Sequence, residues 1–220
     1  MAKKRTSILI ILLYIAVFLS PLAVAGTSRQ LLVTWSTFAY ILGACLMIVL
    51  YRKSDTPIAI EQQGKKSSLS ATLLWGIGGI FIALLLQSAI VSIQMILTHS
   101  TPTSANTEGI ISVILENKLF ILATFIGGPI MEEFVFRRSL IDVFTFPKTG
   151  FWLAAVISSA LFSVIHQDGN YFVYFFLGLF FALLYKKTGR IWTSIIAHCG
   201  MNTLVVVLQL VAHYMVDMPK

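Results

Sequence analysis

Residues 127–138 read GGPIMEEFVFRR, a polar cluster in a chain that is otherwise apolar enough to span a membrane. Glu132 and Glu133 are adjacent, and Arg137 follows Glu133 by four residues. A carboxylate at the centre of a bilayer costs at least ~2.5–3.5 kcal/mol on insertion scales. Because two adjacent carboxylates are too costly there to serve packing alone, we predict that this segment holds the functional site.

The composition is that of a polytopic membrane protein. Of the 220 residues, 57% are hydrophobic and only 11% are charged, and the mean hydropathy is +0.87. A soluble domain carries roughly 25% charged residues. The predicted fold is therefore all-α, a transmembrane helical bundle of about seven spans: 8–25, 32–51, 71–97, 118–144, 150–166, 170–186 and 191–214.

The net charge of +7 reflects membrane topology and does not predict a nucleic-acid partner. With seven spans and the N-terminus inside, thirteen of the sixteen Lys and Arg residues fall on the cytosolic side, as the positive-inside rule requires. The expected partner of these cations is anionic membrane lipid. The short chain and minimal loops favour a bacterial plasma membrane, with the N-terminus cytoplasmic.

The first span has a second interpretation. Residues 3–25 begin with Lys3-Lys4-Arg5, continue as an apolar stretch and end in Ala23-Val24-Ala25. This order is also typical of a secretory signal peptide with an A-x-A cleavage site. Cleavage would leave six spans in the same orientation.

The fourth span is predicted to be interrupted at Gly127-Gly128-Pro129, because proline cannot donate a backbone hydrogen bond. Such a break is tolerated beside a wet cavity, which we expect Glu132 to face. Glu133 and Arg137 are spaced to pair on one helix face, so a purely structural ion pair remains an alternative to catalysis. Glu132 points elsewhere and is the better candidate for a base.

Two downstream spans add further polar residues. Phe162 and His166 lie one turn apart near the end of the fifth span, and His198 and Asn202 lie one turn apart in the seventh. A single histidine near an interface is often without function, and His198 with Asn202 is also consistent with interhelical hydrogen bonding. Taken with the two glutamates, these residues form a set drawn from three spans.

This set can perform amide hydrolysis without a covalent intermediate. A carboxylate and a neutral histidine hold and deprotonate a water, and a second histidine with an amide can donate hydrogen bonds to an oxyanion. Two histidines and one glutamate are also a known zinc set. The cofactor therefore stays open between none and zinc, with Glu132, His166 and His198 as the ligands if a metal is used.

The three motifs resemble those of the CPBP family, named for CAAX proteases and bacteriocin-processing enzymes and also called Abi. Its E-E-x-x-x-R, F-x-x-x-H and H-x-x-x-N motifs match Glu132-Glu133 with Arg137, Phe162 with His166, and His198 with Asn202, in that order. The resemblance covers residues 118–210. It divides the chain into N-terminal spans, residues 1–110, and a catalytic core of four helices, residues 111–220.

The resemblance implies an intramembrane endopeptidase of the glutamic or metallopeptidase type. Glu132 and His166 would activate water, His198 and Asn202 would form the oxyanion site, and Glu133, Arg137 and Phe162 would support them. The implied substrate is a hydrophobic or lipidated peptide or protein, and the implied roles are peptide-pheromone or bacteriocin maturation or self-immunity. Arg138 replaces a glycine found in many members and is predicted to be a surface change.

Two other functional classes fit the same composition. A non-catalytic scaffold or bacteriocin-immunity protein would use the bundle to bind a peptide or another membrane protein. A proton-coupled carrier would use the glutamates and histidines as a relay. A carrier usually shows an internal repeat and two matching broken helices, and the sequence predicts only one.

Overall fold

The structure is a computed structural model that describes residues 4–54, 57–62, 66–99, 104–146 and 150–216. Within those ranges every regular element is helical, which confirms the predicted all-α class. The first five helices are α1 (Arg5–Leu19, extended by a 3-10 turn at Ser20–Val24), α2 (Arg29–Arg52), α3 (Ala59–Gln62), α4 (Leu69–Thr98) and α5 (Ala105–Glu116). The last four are α6 (residues 120–144), α7 (Gly150–Ile165), α8 (Tyr171–Thr188) and α9 (Ile191–Val216).

Seven of these helices follow the seven predicted spans in order: α1, α2, α4, α6, α7, α8 and α9. Five of them are long and apolar enough to cross a membrane, while α7 is apolar but has only 16 residues. The outer face of the bundle is apolar too, since Leu74, Leu85 and Leu97 are 72%, 71% and 75% exposed. An apolar surface of this kind is suited to lipid contact. The chain is therefore a multi-pass membrane protein.

One end of the bundle collects the basic residues, and we call it the basic end. Here the amine of Lys4 donates to the carbonyl of Val143 at 2.8 Å, which joins the start of α1 to the end of α6. The N–H of Ser67 donates to the carbonyl of Thr188 at 3.0 Å, which joins the start of α4 to the end of α8. The other cations at this end are Arg5, Arg52, Lys53, Lys66, Lys186, Lys187 and Arg190.

Helix α6 is continuous through Pro129, so the prediction that the helix is interrupted there is wrong. Two π-helical stretches, Ala123–Gly127 and Glu133–Leu140, flank a short α-helical segment that contains the proline. The N–H of Gly128 bonds to the carbonyl of Ala123, five residues back. A widened turn gives the backbone beside a proline other partners, so the helix bulges instead of breaking. π-bulges often mark functional sites.

Helix α6 is packed against both N-terminal spans. A Cβ added at Gly127 would lie 3.2 Å from the backbone of Tyr40, so glycine permits the close approach of α2. On α1, Ile10 is fully buried and the ring of Tyr14 meets the ring of Phe136 edge-on at 6.0 Å. Residues 5–19, for which a cleavable signal was the alternative, thus contribute to the core around the glutamate segment.

Helix α5 lies between the predicted spans 71–97 and 118–144 and was not predicted from the sequence. The hydroxyl of Ser104 caps it by accepting from the N–H of Thr107 at 3.2 Å. With 12 residues it is too short to span a membrane. It also runs across residue 110, where the sequence places the boundary between the two predicted parts of the chain.

Arg138 is buried, which corrects its prediction as a surface residue. It is 1% exposed, and its Nε lies 3.7 Å from the Oε1 of Glu61, itself 7% exposed. The same oxygen accepts from the hydroxyl of Tyr185 at 2.7 Å, and the Arg138 guanidinium lies over the ring of Tyr51 at 5.0 Å. Part of the long basic-end linker therefore inserts into the bundle as α3.

Candidate active site

The two glutamates leave α6 in different directions. Glu133 is fully buried, whereas the side chain of Glu132 is 19% exposed and lines an internal cavity. This division agrees with the predicted geometry, in which Glu132 is the carboxylate open to water. Both residues lie where the helix passes from an α-helical into a π-helical turn.

His198 on α9 lies between the two glutamates. Its Nδ1 is 2.9 Å from the Oε1 of Glu133, and its Nε2 is 3.6 Å from the Oε2 of Glu132. An ionised carboxylate only accepts hydrogen bonds, so Nδ1 carries a proton directed at Glu133. In the neutral ring Nε2 is therefore an acceptor. It can donate a hydrogen bond only when both ring nitrogens carry a proton. The fold thus brings His198 of the seventh predicted span level with Glu132 of the fourth.

Arg137 holds Glu133 from its other side. Its Nε lies 3.3 Å from the same Oε1, so the predicted ion pair one turn apart is present. The guanidinium lies 4.0 Å from the ring centre of Phe162 and 5.5 Å from that of Phe181, in a cation–π arrangement. Phe162 therefore supports the arginine as well as lying one turn before His166.

His166 lies just beyond the end of α7, oriented by its surroundings. Its Nδ1 is 2.7 Å from the carbonyl of Phe162, and a carbonyl only accepts, so Nδ1–H donates to it. In the neutral ring this leaves Nε2 as an acceptor. The ring of Tyr174 stacks on His166 with 3.8 Å between centroids. His166 and Glu132 line the same cavity.

A polar network behind His166 was missed by sequence reasoning. The carboxylate of Asp168 accepts from the hydroxyls of Tyr174 at 2.7 Å and Ser104 at 3.0 Å, and from the N–H of Asn170 at 3.0 Å. Burial favours the neutral acid, but these hydrogen bonds outweigh it and lower the pKa of Asp168. A detectable signal was the pair Asp168 and Asn170 in the turn directly after the motif histidine. The network ties α5 to the side of the site.

Two cavities meet at these residues. The first has a volume of about 240 Å³ and is bordered by His166, His198 and Asn202. The second has a volume of about 350 Å³ and is bordered by Glu132, His166 and Asn202. His166 and Asn202, with Asn106, Ile110 and Thr124, border both. Glu132 borders only the larger cavity and His198 only the smaller, but their side chains are 3.6 Å apart, so the four residues predicted to be catalytic lie close together.

The predicted zinc ligands do not form a metal site in this arrangement. Among the described residues, no group of three His, Cys, Asp or Glu side chains lies close enough to hold an ion. The Nδ1 atoms of His166 and His198 are both engaged, so each ring offers Nε2, as the rings of metal-bound histidines also do.

These features define a class of protein: a helical membrane bundle with a carboxylate and two histidines bordering two adjacent cavities. Comparison with known proteins narrows the class. The model of the family described as "Type II CAAX prenyl endopeptidase Rce1-like" matches residues 114–204. This range contains all three motifs.

Curated relatives agree with the family match. "Putative membrane peptidase YdiL" of Bacillus subtilis (strain 168) is 39% identical over 177 residues, which are 80% of this chain and 71% of that protein. "Membrane-embedded CAAX protease MroQ" of Staphylococcus aureus (strain USA300) is 28% identical over 177 residues, 78% of this chain and 71% of that protein. No solved structure matches.

The chain belongs to the Rce1-like family of type II CAAX endopeptidases. The resemblance seen in the three sequence motifs is confirmed. The protein is a membrane-embedded protease, a hydrolase that acts on a peptide or protein substrate.

Proposed function

We propose that the protein cleaves internal peptide bonds of a membrane-associated peptide or protein by direct attack of water. Glu132 is the general base, His166 orients the water, and His198 with Asn202 stabilises the oxyanion. Glu133, Arg137 and Phe162 hold these groups in place. The observation that carries the proposal is the position of His198 between Glu132 and Glu133, where His198 borders one cavity and Glu132 the other.

The water is held by two acceptors. Nε2 of His166 accepts one of its hydrogens, because Nδ1 already donates to Phe162. The carboxylate of Glu132 takes the second proton as the oxygen attacks the carbonyl carbon. The result is a tetrahedral intermediate with one negative oxygen and a protonated Glu132.

The tetrahedral intermediate then breaks down by using the proton that Glu132 took from the water. The amide nitrogen leaves as the C–N bond breaks, and it receives the proton from Glu132. The products are one carboxylic acid and one amine, and the enzyme returns to its starting state. Donors from Asn202, and from His198 when both of its ring nitrogens carry a proton, stabilise the oxyanion until the C–N bond breaks. The carboxylate of Glu133 faces Nδ1 and fixes the orientation of the ring.

The substrate class follows from the site's position. A peptide must reach cavities inside a bundle with an apolar outer face, so hydrophobic or lipidated peptides are favoured. Maturation of a peptide pheromone or bacteriocin, or self-immunity, is the physiological setting that the family resemblance suggests. The proposed catalytic residues all lie in residues 111–220, and residues 1–110 supply part of the cavity walls.

The test uses purified full-length protein and a mass-spectrometric readout of cleavage. Wild type should cut a mixture of apolar peptides, and Glu132→Gln should cut none while folding normally. The exposed change Arg52→Gln serves as the matched control and should retain wild-type activity. If Glu132→Gln cuts as well as wild type, the assignment of the base is wrong.

A second part of the experiment tests whether cleavage requires zinc. Activity should survive chelation, and the purified protein should carry less than one metal ion per chain. Stoichiometric zinc, with activity lost on chelation and restored by zinc, would contradict the metal-free steps. If peptide binding and the biological phenotype both persist in Glu132→Gln, the protein acts as a binding scaffold instead.

A further inference from the structure

The two cavities at the site differ in chemistry. Five carboxamide side chains border the smaller one, which we call the carboxamide cavity: Gln87, Asn106, Asn170, Asn202 and Gln209. The larger one we call the aromatic cavity, since four aromatic rings border it: Tyr14, Phe18, Tyr40 and Phe120. Pro21, Leu32 and Val33 add further apolar surface there.

A carboxamide is matched to a peptide backbone. It presents two N–H donors and one carbonyl acceptor, which can pair with the carbonyl and N–H groups of an extended main chain. The hydroxyls of Ser104 and Thr124 border the same cavity, and because they already donate to Asp168 and to the carbonyl of Phe120, they add acceptors only. Apart from the two site histidines, the polar side chains that border the carboxamide cavity are uncharged. Such a wall recognises main chain more than side-chain identity.

The aromatic cavity is the less polar of the two, since Gln87, Asn170 and Gln209 do not border it, although Asn106 and Asn202 border both. Its volume of about 350 Å³ falls in the range of small-ligand pockets. The rings of Tyr14 and Phe18 stack with 6.2 Å between centroids, which gives one wall a flat apolar face. A large apolar side chain gains most from burial in such a space. Selectivity is therefore expected on this side.

We infer that the protein binds an extended, uncharged peptide segment asymmetrically about the bond that is cut. On one side the main chain hydrogen-bonds to the carboxamide cavity, with little preference among uncharged side chains. On the other side a large apolar side chain occupies the aromatic cavity. The bond lies between them, beside His166 and Asn202, which border both spaces. This inference rests on the proposed function and adds its substrate class.

The first experiment reads the preference directly. Purified full-length protein in detergent is incubated with a proteome-derived peptide library, and cut sites are counted by mass spectrometry. The blank is Glu132→Gln. We expect Phe, Leu, Ile, Met, Trp or Tyr to be enriched on one side of the cut. On the other side we expect no preference among uncharged residues and a depletion of Asp, Glu, Lys and Arg.

The second experiment tests the main-chain contacts. The best-cut peptide is resynthesised with single N-methyl groups, each of which removes one backbone donor. On the unselective side we expect KM to rise about 2–10-fold, the change that matches one lost hydrogen bond. Gln87→Leu or Gln209→Leu should remove this sensitivity, so that methylated and unmodified peptides give equal KM. Gln94→Leu, on α4 but away from the cavity, should behave as wild type.

The aromatic cavity has its own variant. Phe18→Ala should weaken the apolar preference on the selective side and leave the N-methyl sensitivity unchanged. Glu132-dependent cuts with equal preferences on both sides, or with no N-methyl sensitivity, overturn this inference alone. A library with no Glu132-dependent cuts overturns the proposed function and this inference together.

Discussion

One carboxylate oxygen, Oε1 of Glu133, lies 2.9 Å from Nδ1 of His198 and 3.3 Å from Nε of Arg137. A single buried atom therefore connects the structural cation of α6 to the histidine of α9. The sequence predicted the contact with Arg137 and not the contact with His198. Glu133 consequently has two roles, since it neutralises a buried arginine and orients a histidine at the site.

Because Glu133 has both roles, we predict that a double variant of Glu133 and Arg137 recovers folded yield without recovering cleavage. Glu133→Gln and Arg137→Leu should each lower the yield of folded protein, because each leaves one buried charge unpaired at a cost of ~3–5 kcal/mol. Combining them removes both charges and should recover much of the yield. Cleavage should stay low, since His198 has lost its carboxylate. Size-exclusion yield and peptide cleavage measure the two effects, and recovery of both together would contradict the orienting role.

Glu132 is predicted to behave differently from its neighbour. Its side chain is 19% exposed at a cavity, so Glu132→Gln exchanges one hydrated polar group for another. Folded yield should equal that of wild type, while cleavage should fall below detection because the base is absent. If Glu132→Gln and Glu133→Gln give the same yield and the same activity, this division of labour between the two glutamates is incorrect.

The buried pair of Arg138 and Glu61 predicts a second non-additive result. Arg138→Met or Glu61→Met alone should destabilise the protein by ~3–5 kcal/mol, because the partner remains buried and charged. The double variant Arg138→Met with Glu61→Met should be less destabilised than either single change. Thermal unfolding in detergent measures this, with Arg52→Met, an exposed arginine at the same end, as the control. Equal, additive losses would show that the two charges do not interact.

Local periodicity explains which parts of the site the sequence could predict. His198 with Asn202, and Glu133 with Arg137, are one turn apart on single helices, so their shared faces follow from helix geometry. The long apolar runs likewise predict the spans. Their bounds match the helices to within a few residues in most cases.

Contacts between distant segments explain what the sequence could not predict. Glu61 lies in a polar linker and looks solvated, while its hydrogen-bond partner Tyr185 is 124 residues away. Helix α5 is too short to appear as a span, and only the cap at Ser104 indicates its start. A π-helical turn leaves no distinct pattern, so the proline in α6 is easily mistaken for a break.

The membrane orientation can be tested with residues that the structure describes. The basic end should lie in the cytosol, because Lys and Arg concentrate there. In a chain with Cys45 and Cys199 changed to Ala, a cysteine at Glu108 should react with an impermeant maleimide in intact cells. One at Gln62 should react only after the cells are opened. Both residues are exposed, so burial does not limit either reaction, and the reverse pattern would mean the opposite orientation.

Asn202 offers the clearest separation of an enzyme from a binding protein. It borders both cavities, one turn beyond His198, where its amide can donate to an oxyanion. Removing one such donor costs about 10²–10³ in turnover. Substrate binding should change little, because the carbonyl in the ground state needs the donor less than the transition state does. Asn202→Ala should therefore bind a peptide with an affinity near that of wild type and cut it at least 100-fold more slowly.

Fluorescence anisotropy and single-turnover cleavage measure these two quantities on the same preparation. Val207→Ala, a lipid-facing change on the same helix, is the matched control and should leave both quantities unchanged. Full turnover in Asn202→Ala would remove this residue from the oxyanion site and leave His198 as its proposed donor.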